Sequence, residues 1–267
     1  MTAMEWFFGY SGNAAKWFRD MIKVAVLSAR ANTSLEPHCL FDGEDDGLTE
    51  WLRRNGVTVH RTAVPFKDEL SSQAVVAANE GTPYNPANAS GHFLRLLVPD
   101  FSSGGISLYT DCDVMFTGEP DFGTIDIFGA CAELGKDGRP SPRSFNSGVM
   151  AINNERFARE RPRLIRFFRS KNFYSRKAQS YDQVLLNIHF KRKWNMMPPY
   201  LNWRPWQGVD ERAKIVHFHG PKPQRIEAIL RGDHLRDEAG LIGYINRDRG
   251  AYQAYHDMFR SFLAEAG

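Results

Sequence analysis

The chain has 267 residues, of which 42% are hydrophobic and 24% charged, and this composition excludes a disordered, collagen-like or coiled-coil protein. Its 34 Lys and Arg residues against 31 Asp and Glu residues give a net charge of +3, too small to indicate binding to nucleic acid. The three cysteines form no Cys-x-x-Cys pair, so we expect small buried thiols without a disulfide framework. No basic segment followed by a long apolar one begins the chain, so we expect a cytoplasmic protein without a secretory signal.

Strand and helix patterns alternate along the chain. In the first part, strands are predicted at 5–10, 38–43 and 57–62, and helices at 13–31, 47–55 and 89–99. Further on, strands are predicted at 106–116, 128–134, 145–153 and 213–220, helices at 154–172, 178–190 and most of 225–267, and irregular segments at 135–144 and 193–206. This alternation predicts an α/β fold, a mostly parallel central sheet flanked by helices. No linker or repeat divides it, so we expect one domain over 1–267.

The first motif with chemical content is Asp111-Cys112-Asp113, which follows an apolar strand. Residues two apart in an extended segment point the same way, and two neighbouring carboxylates repel each other unless a cation lies between them. Mn²⁺ or Mg²⁺ with oxygen ligands meets this requirement, and ligands collect at the carboxyl ends of strands in open α/β sheets. Two solvated loop aspartates are the alternative interpretation.

A second motif, His217-Phe218-His219-Gly220, follows another predicted strand and is followed by Lys222. A histidine at a strand end can complete an aspartate metal site, the glycine allows close approach of a phosphate, and the lysine supplies a positive charge. A structural pair of histidines is the alternative.

Two further polar pairs accompany predicted elements. Asn146 and Ser147 precede a glycine at the start of an apolar strand, and their side chains suit recognition of sugar hydroxyl groups. Asp182 and Gln183 begin a predicted helix. The alternatives are a backbone turn for the first pair and a carboxylate favoured at a helix N-terminus for the second.

These segments, at 108–116, 145–153, 181–187 and 217–223, occur in an order that resembles the signature blocks of glycosyltransferase family 8, the glycogenin and lipopolysaccharide galactosyltransferase group. The resemblance implies a GT-A fold and a UDP-sugar donor, most often UDP-glucose or UDP-galactose. It also implies Mn²⁺ as cofactor, with Mg²⁺ as the alternative, and transfer to a glycan, lipid-linked or other hydroxyl acceptor with retention at the anomeric carbon.

The resemblance also implies roles for individual residues. It makes Asp111, Asp113 and His217 metal ligands, Gln183 and Asp182 catalytic residues, and Gly220 and Lys222 contacts of the diphosphate. The remaining substrate-binding residues that it implies are Arg95, Cys112, Asn146 and Ser147 around the donor and Phe8, Gly9 and Tyr10 near the uracil. It divides the domain into a nucleotide-binding half (1–117), a donor-sugar and acceptor half (118–224) and a C-terminal helical extension (225–267).

The expected mechanism follows from the residue at the position of the nucleophile. Retaining glycosidases use a carboxylate there, whereas Gln183 has an amide, which is a poor nucleophile. We therefore expect front-face attack, in which the acceptor hydroxyl enters on the side of the leaving group. The alternative is a double displacement through a covalent adduct on Asp182.

Two aromatic stretches bear on partners. Basic residues interleaved with phenylalanines over 156–177 suit an anionic acceptor or peripheral contact with the inner face of a membrane, and a solvated helix packed by its phenylalanines is the alternative. Trp194, Trp203 and Trp206 could stack on acceptor sugars, and core packing is the alternative.

Other functions also stay open at this point. A metal-dependent phosphohydrolase could use both aspartates together with His217 and His219, and a nucleotide-sugar-binding module could have lost its transfer activity. A sugar-phosphate nucleotidyltransferase is less favoured, because residues 9–17 lack the glycine-rich basic loop of that class.

Overall fold

The computed structural model describes residues 3–15, 17–135, 138–233 and 238–266, and these residues form two compact units. The first unit comprises the described residues of Met1–Ala14, Glu36–Asp111 and Phe122–Met197, and the second comprises those of Ala15–Leu35, Cys112–Asp121 and Pro198–Gly267. The boundary between Asp111 and Cys112 falls inside the Asp-x-Asp motif. The division into functional segments at 117 and 224 stays a prediction.

The strands are β1 (Glu5–Ser11), β2 (Glu36–Asp42), β3 (Thr58–Arg61), β4 (Ile106–Thr110), β5 (Val114–Phe116), β6 (Phe128–Leu134), β7 (Pro140–Asn153), β8 (Asn195–Met197) and β9 (Ile215–His217). The α-helices are α1 (Phe18–Asn32), α2 (Gly47–Arg54), α3 (Lys67–Leu70), α4 (Gln73–Ala78), α5 (Pro86–Phe93), α6 (Val98–Phe101), α7 (Asn154–Ser170), α8 (Asp182–Phe190), α9 (Pro223–Arg231), α10 (Ala239–Ile245) and α11 (Arg249–Glu265). Short 3₁₀ helices cover Leu94–Leu97, Pro199–Asn202 and Pro205–Gln207.

The first unit contains a sheet in the order β3-β2-β1-β4-β7-β6-β8, in which β7 runs antiparallel to both of its neighbours and the other pairs are parallel. The mostly parallel α/β sheet predicted from the sequence is therefore confirmed. Strand β1 lies inside the sheet and is almost wholly buried, because parallel sheets are covered on both faces. Phe8 pairs with Cys39 of β2 and with Thr110 of β4, so the carboxyl ends of these three strands lie side by side.

Phenylalanines from the sheet and from the helices of the first unit form its core. Phe128 packs edge-on against Phe145 and Phe190, at centroid distances of 5.2 and 4.7 Å. Helix α7 adds Phe157 and Phe168, which are fully buried. The apolar face of α7 thus binds the helix to the sheet by burial of large side chains, each stabilising by about 2 kcal/mol.

The second unit is built around a two-stranded antiparallel sheet of β5 and β9. Helix α1 packs on β5, and the Ser28 hydroxyl accepts a 3.0 Å hydrogen bond from the backbone N–H of Phe116. Helices α9 and α11 enclose a core that includes Val216, Phe218 and Phe259.

Several element boundaries differ from those predicted, and the following differences are the largest near the motifs. The predicted strand 106–116 is interrupted, because its two ends pair with strands of different sheets. Part of the predicted loop 135–144 extends β7, which begins at Pro140 and pairs with Leu134. The predicted helix 13–31 begins at Phe18. Residues 16, 136–137 and 234–237 of the predicted segments lie outside the described residues.

All three cysteines are buried and form no disulfide, as expected from their number and spacing. Among the described residues, no helix combines the length and the hydropathy that crossing a membrane requires.

Candidate active site

A β-bulge in β7 shapes the site of the first unit. Ala130 of β6 pairs with Met150, but the next residue, Cys131, pairs with Asn146, so the residues between are out of register with β6. On its other side β7 keeps regular pairing with β4, up to the pair Thr110 and Val149. Bulges of this kind redirect backbone groups and side chains next to functional sites.

Arg95, on the 3₁₀ helix Leu94–Leu97, joins three parts of this site. Its Nη2 donates a 2.8 Å hydrogen bond to Asp111 Oδ1, and its Nη1 donates to the backbone carbonyl of Ser147 in the bulge. Its Nε lies 2.9 Å from Asp182 Oδ2 in an ion pair. A single guanidinium therefore holds the first aspartate of the Asp-x-Asp motif, the bulge and the start of α8.

The electrostatics of Arg95 favour its charged form. Burial lowers the pKa of the guanidinium, but the carboxylates of Asp182 and Asp111 outweigh this and raise its pKa above the ordinary value. The guanidinium carbon also lies 4.8 Å from the ring centroid of Tyr109, a cation–π contact. Arg95 and Asp182 are both buried, so the ion pair is held in a fixed geometry.

Gln183 belongs to a hydrogen-bond network at the same bulge. Its Oε1 accepts from Asn146 Nδ2 at 3.0 Å and from the backbone N–H of Ser147 at 3.2 Å. Its Nε2 donates to Glu133 Oε1 at 3.4 Å, and Asn146 Nδ2 donates to the same carboxylate oxygen at 3.1 Å. The structure therefore brings together three residues that the sequence motifs predicted and one, Glu133, that they did not.

Glu133 was missed because its segment, Phe128–Leu134, has no known motif and was interpreted only as a strand. The available signal was a carboxylate near the end of an otherwise apolar strand. It lies there beside the bulge, where it orients both amides.

In the second unit, Asp113 lies between two basic groups. Its Oδ1 is 3.2 Å from His217 Nε2, and Lys222 Nζ donates to its Oδ2. The backbone carbonyl of Asp113 accepts a 2.9 Å hydrogen bond from the N–H of Phe218. The segment after β9 therefore contacts both the backbone of Asp113, through Phe218, and its side chain, through Lys222.

The charge of Asp113 is set by these neighbours. Burial raises the pKa of the carboxyl group, but Lys222 and then His217 outweigh burial and hold its pKa well below the usual range. These two basic neighbours therefore favour the ionised form of the Asp113 carboxyl group.

His217 is oriented by Asn202, a second residue with no role assigned from the motifs. Asn202 Oδ1 lies 2.8 Å from His217 Nδ1, which leaves Nε2 directed at Asp113. Asn202 and Trp203 form an Asn-Trp pair that helps to align the sequence with the family that it resembles, but the pair does not by itself indicate a role for Asn202. Gly220, three residues after His217, has a φ of +90°, a conformation that favours glycine.

The donor set suits a divalent cation. The side chains of Asp113 and His217 offer a carboxylate oxygen and an imidazole nitrogen, and Asp111, two residues before Asp113, offers a second carboxylate. Mn²⁺ accepts this mixture of oxygen and nitrogen ligands, whereas Mg²⁺ prefers oxygen.

The remaining predicted substrate contacts differ in accessibility. The side chains of Phe8 and Tyr10 are buried, and Tyr10 stacks on Phe41 at a centroid distance of 5.4 Å. Gly9 approaches Leu94 closely, since a Cβ placed on it would lie 3.0 Å from that residue's Cβ. Cys112 is buried and belongs to the second unit, and the role of these residues stays a prediction.

The structure also assigns the predicted tryptophans to different units and shows ion pairs along the basic helix α7. Trp194 belongs to the first unit, whereas Trp203 and Trp206 belong to the second. The arginines of α7 are largely neutralised by carboxylates, in the pairs Arg156–Asp126, Arg159–Glu155, Arg161–Asp100, Arg163–Glu160 and Arg169–Glu69.

The sequence is similar to known proteins over most of its length. The family described as "Glycosyl transferase family 8" matches residues 15–223. The chain is 24% identical to "Glycosyltransferase GlyB" of Streptococcus pneumoniae serotype 4 over 226 residues, which cover 83% of this chain and 53% of that protein. It is 30% identical to "Glycosyltransferase GlyA" of the same organism over 160 residues, which cover 56% of this chain and 21% of GlyA. The chain thus spans about half the length of GlyB.

Solved structures share the architecture. The apo form of glycosyltransferase GlyE of Streptococcus pneumoniae TIGR4 matches with a TM-score of 0.60 and 18% identity, over 91% of this chain and 63% of GlyE. The galactosyltransferase LgtC, solved in complex with donor and acceptor sugar analogs, matches with a TM-score of 0.57 and 18% identity, over 91% of this chain and 95% of LgtC. These likenesses confirm the predicted GT-A fold.

Proposed function

The chain belongs to glycosyltransferase family 8, and from this premise we propose that it transfers a hexose, glucose or galactose, from a UDP-sugar to a hydroxyl group with retention. Family membership supports glycosyl transfer as the activity. The acceptor that we propose is a glycan or a lipid-linked glycan. LgtC was solved with donor and acceptor sugar analogs, which agrees with a two-substrate site of this kind.

The observation that carries the proposal is the ionised Asp113 carboxylate beside His217 Nε2. We propose that Asp111, Asp113 and His217 hold Mn²⁺, with Mg²⁺ as the alternative. When bound, the cation supplies positive charge that stabilises the leaving diphosphate. Asn202 keeps the imidazole in the tautomer and orientation that a metal ligand needs.

Lys222 and Gly220 are proposed to bind the diphosphate. Lys222 donates to Asp113 Oδ2 and, at 3.1 Å, to the backbone carbonyl of Phe218. Its ammonium group is therefore already beside the proposed metal ligands, and the binding of an anionic diphosphate would draw it away from the carboxylate. Gly220 has no side chain, so a phosphate could approach its backbone closely, and its φ of +90° is a conformation that favours glycine.

The donor sugar is proposed to contact the site in the first unit. Arg95, Asn146 and Asp182 present one cation, one amide and one carboxylate, which suit hydrogen bonds to sugar hydroxyls. Gln183 Oε1 accepts from two N–H groups, which reduces its nucleophilicity further and supports front-face attack. Trapping of a covalent sugar adduct on Asp182 or Glu133 would contradict this mechanism.

A surface of the first unit supports the proposed peripheral contact with the inner face of a membrane. Lys191, Arg192 and Lys193 are exposed and form no ion pair with any residue that the structure describes. Trp194 and Met196, which is 52% exposed, line an open cavity of about 330 Å³ next to them. Exposed basic and apolar side chains together suit an anionic lipid surface better than α7, whose arginines are paired.

The decisive experiment is a donor screen. We expect Mn²⁺-dependent hydrolysis of UDP-glucose or UDP-galactose in the absence of acceptor, loss of hydrolysis in EDTA, and at least a hundredfold slower reaction for Asp113→Asn. The matched control is Asp257→Asn, because Asp257 is exposed on α11. Full activity of Asp113→Asn or activity in EDTA contradicts the metal site. Release of phosphate from simple esters would favour the hydrolase, and UDP binding without any turnover would favour the decayed module.

A further inference from the structure

Trp206, in the 3₁₀ helix Pro205–Gln207 of the second unit, is surrounded by cations and aromatic rings. The guanidinium carbons of Arg204 and Arg247 lie 5.4 and 6.0 Å from the centroid of its ring. Tyr244 lies at 4.8 Å with an interplanar angle of 32°, and Arg247 is also 5.1 Å from the Tyr244 ring. One partly exposed indole is thus flanked by two arginines, which a purely structural aromatic cluster does not require.

Within this cluster, the positive charge of Arg247 has no acidic partner among the described residues. The side chain of Arg247 is exposed and forms no ion pair with a carboxylate among the residues that the structure describes. The neighbouring Asp248 is engaged at the start of α11, where its Oδ1 accepts a 2.9 Å hydrogen bond from the N–H of Ala251. The guanidinium group of Arg247 is therefore available to pair with the anionic group of a ligand.

The cluster is connected to the proposed metal ligands within the second unit. The ring of His219 lies 5.9 Å from Trp206 and 5.4 Å from His217, edge-on in both cases. A Cβ placed on Gly220 would lie 3.4 Å from Tyr244. Trp206 is therefore one ring removed from a proposed metal ligand, and Tyr244 packs against a proposed diphosphate contact, so the cluster adjoins the proposed donor site.

We propose that Trp206 and Arg247 form an acceptor subsite for a sugar that carries an acidic group, a carboxylate or a phosphate. This inference rests on the proposed function and names the chemical class of its acceptor. The indole stacks on the C–H face of the sugar ring. The guanidinium group of Arg247 binds the anion, for which arginine has the matching planar geometry.

The first test measures binding by calorimetry, with Mn²⁺ and UDP saturating so that the diphosphate position is filled. The probes are glucuronic acid, glucose 6-phosphate, glucose and inorganic phosphate. We expect both acidic sugars to bind at least tenfold more tightly than glucose and than inorganic phosphate. If glucose binds as tightly as the acidic sugars, the anionic group has no role and the proposal is wrong. If inorganic phosphate binds as tightly as they do, the indole has no role and the proposal is equally wrong.

The second test uses variants of the same chain. Arg247→Gln should weaken glucuronic acid and glucose 6-phosphate about tenfold and leave glucose unchanged, and Trp206→Leu should weaken both acidic sugars, whereas Trp206→Phe should retain most of their affinity. The control is Arg260→Gln, an exposed arginine that pairs with Glu227 on the same unit. Unchanged affinities in Arg247→Gln, with an unaltered urea midpoint, would refute the subsite. Hydrolysis of the donor without acceptor is measured separately and tests the proposed function. Its loss would contradict the proposed function, whereas loss of acidic-sugar selectivity alone would contradict only the subsite.

Discussion

The two charged clusters of this protein have opposite designs. In the first unit a buried cation, Arg95, is held by two carboxylates, Asp111 and Asp182. In the second unit a buried anion, Asp113, is held by a lysine and a histidine. Burial opposes the charged form in both cases, and the neighbouring charges overcome it.

The difference lies in which partner can leave. The guanidinium of Arg95 is 4% exposed and contacts three elements at once, so its release would unpair several buried groups. The ammonium of Lys222 is 26% exposed on a flexible side chain, and we propose that a divalent cation takes its place on Asp113. A structural centre and an exchangeable one therefore share one Asp-x-Asp motif, and the following variants test that distinction.

The largest effect is expected for Arg95→Met. Removing the cation leaves the Asp111 and Asp182 carboxylates uncompensated, so we expect the free energy of unfolding to fall by about 3 kcal/mol. Urea unfolding followed by circular dichroism measures it. Arg159→Met, at an exposed pair with Glu155, serves as the control and should cost less than about 1 kcal/mol. An equal loss in both variants would show that Arg95 is no structural centre.

The next effect concerns the orientation of His217. Asn202→Ala removes the acceptor beside Nδ1, and we expect a 10- to 100-fold loss of Mn²⁺ affinity, typical of groups that orient a metal ligand. Asn202→Asp keeps the oxygen and should restore most of the affinity. Calorimetric titration of Mn²⁺ decides the matter, and unchanged affinity in Asn202→Ala would rule out an orienting role.

A half-buried pair of histidines, which carry no opposite charges, extends the comparison. His38 Nδ1 and His60 Nε2 lie 2.9 Å apart, and burial lowers the pKa of both imidazoles, although Glu5 opposes the shift at each and Glu36 at His38. Depressed histidine pKa values mean that the unfolded chain binds protons first, so stability falls as the pH is lowered below about 6.5.

We therefore expect His60→Phe to reduce the loss of stability between pH 7.5 and pH 5.5. The measurement is the urea midpoint at both pH values. Phe101→Leu, which alters a ring packed 4.7 Å from His60 without removing a titrating group, should shift both values equally. An unchanged pH dependence in His60→Phe would exclude the pair as its source.

The smallest effect is expected for Lys222→Gln. Since Lys222 competes with a cation for Asp113, its removal should raise Mn²⁺ affinity about threefold, while UDP affinity falls because the diphosphate loses a positive contact. Calorimetry with each ligand separates the two effects. A fall in Mn²⁺ affinity would instead identify Lys222 as a support of the metal site.

Much of the fold could be predicted because its local signals agree. The bounds of β6 match the predicted 128–134, and β1 differs from the predicted 5–10 by one residue. Both are apolar strands that are recognised by composition alone. The interruption at Asp111–Asp113 could not be predicted, because the chain changes from one sheet to another there and each half is a good strand by itself.

By itself the sequence determined the order of strands and helices, the Asp-x-Asp motif at a strand end, the histidine strand end and the family resemblance, since all of these depend on residues close together in the chain. Only the tertiary structure decided that Arg95 joins Asp111 to Asp182, that Glu133 orients Gln183, and that Lys222 neutralises Asp113. These pairs are separated by between 16 and 109 residues, and their charges meet only where strand pairing and the β-bulge bring the backbone segments together.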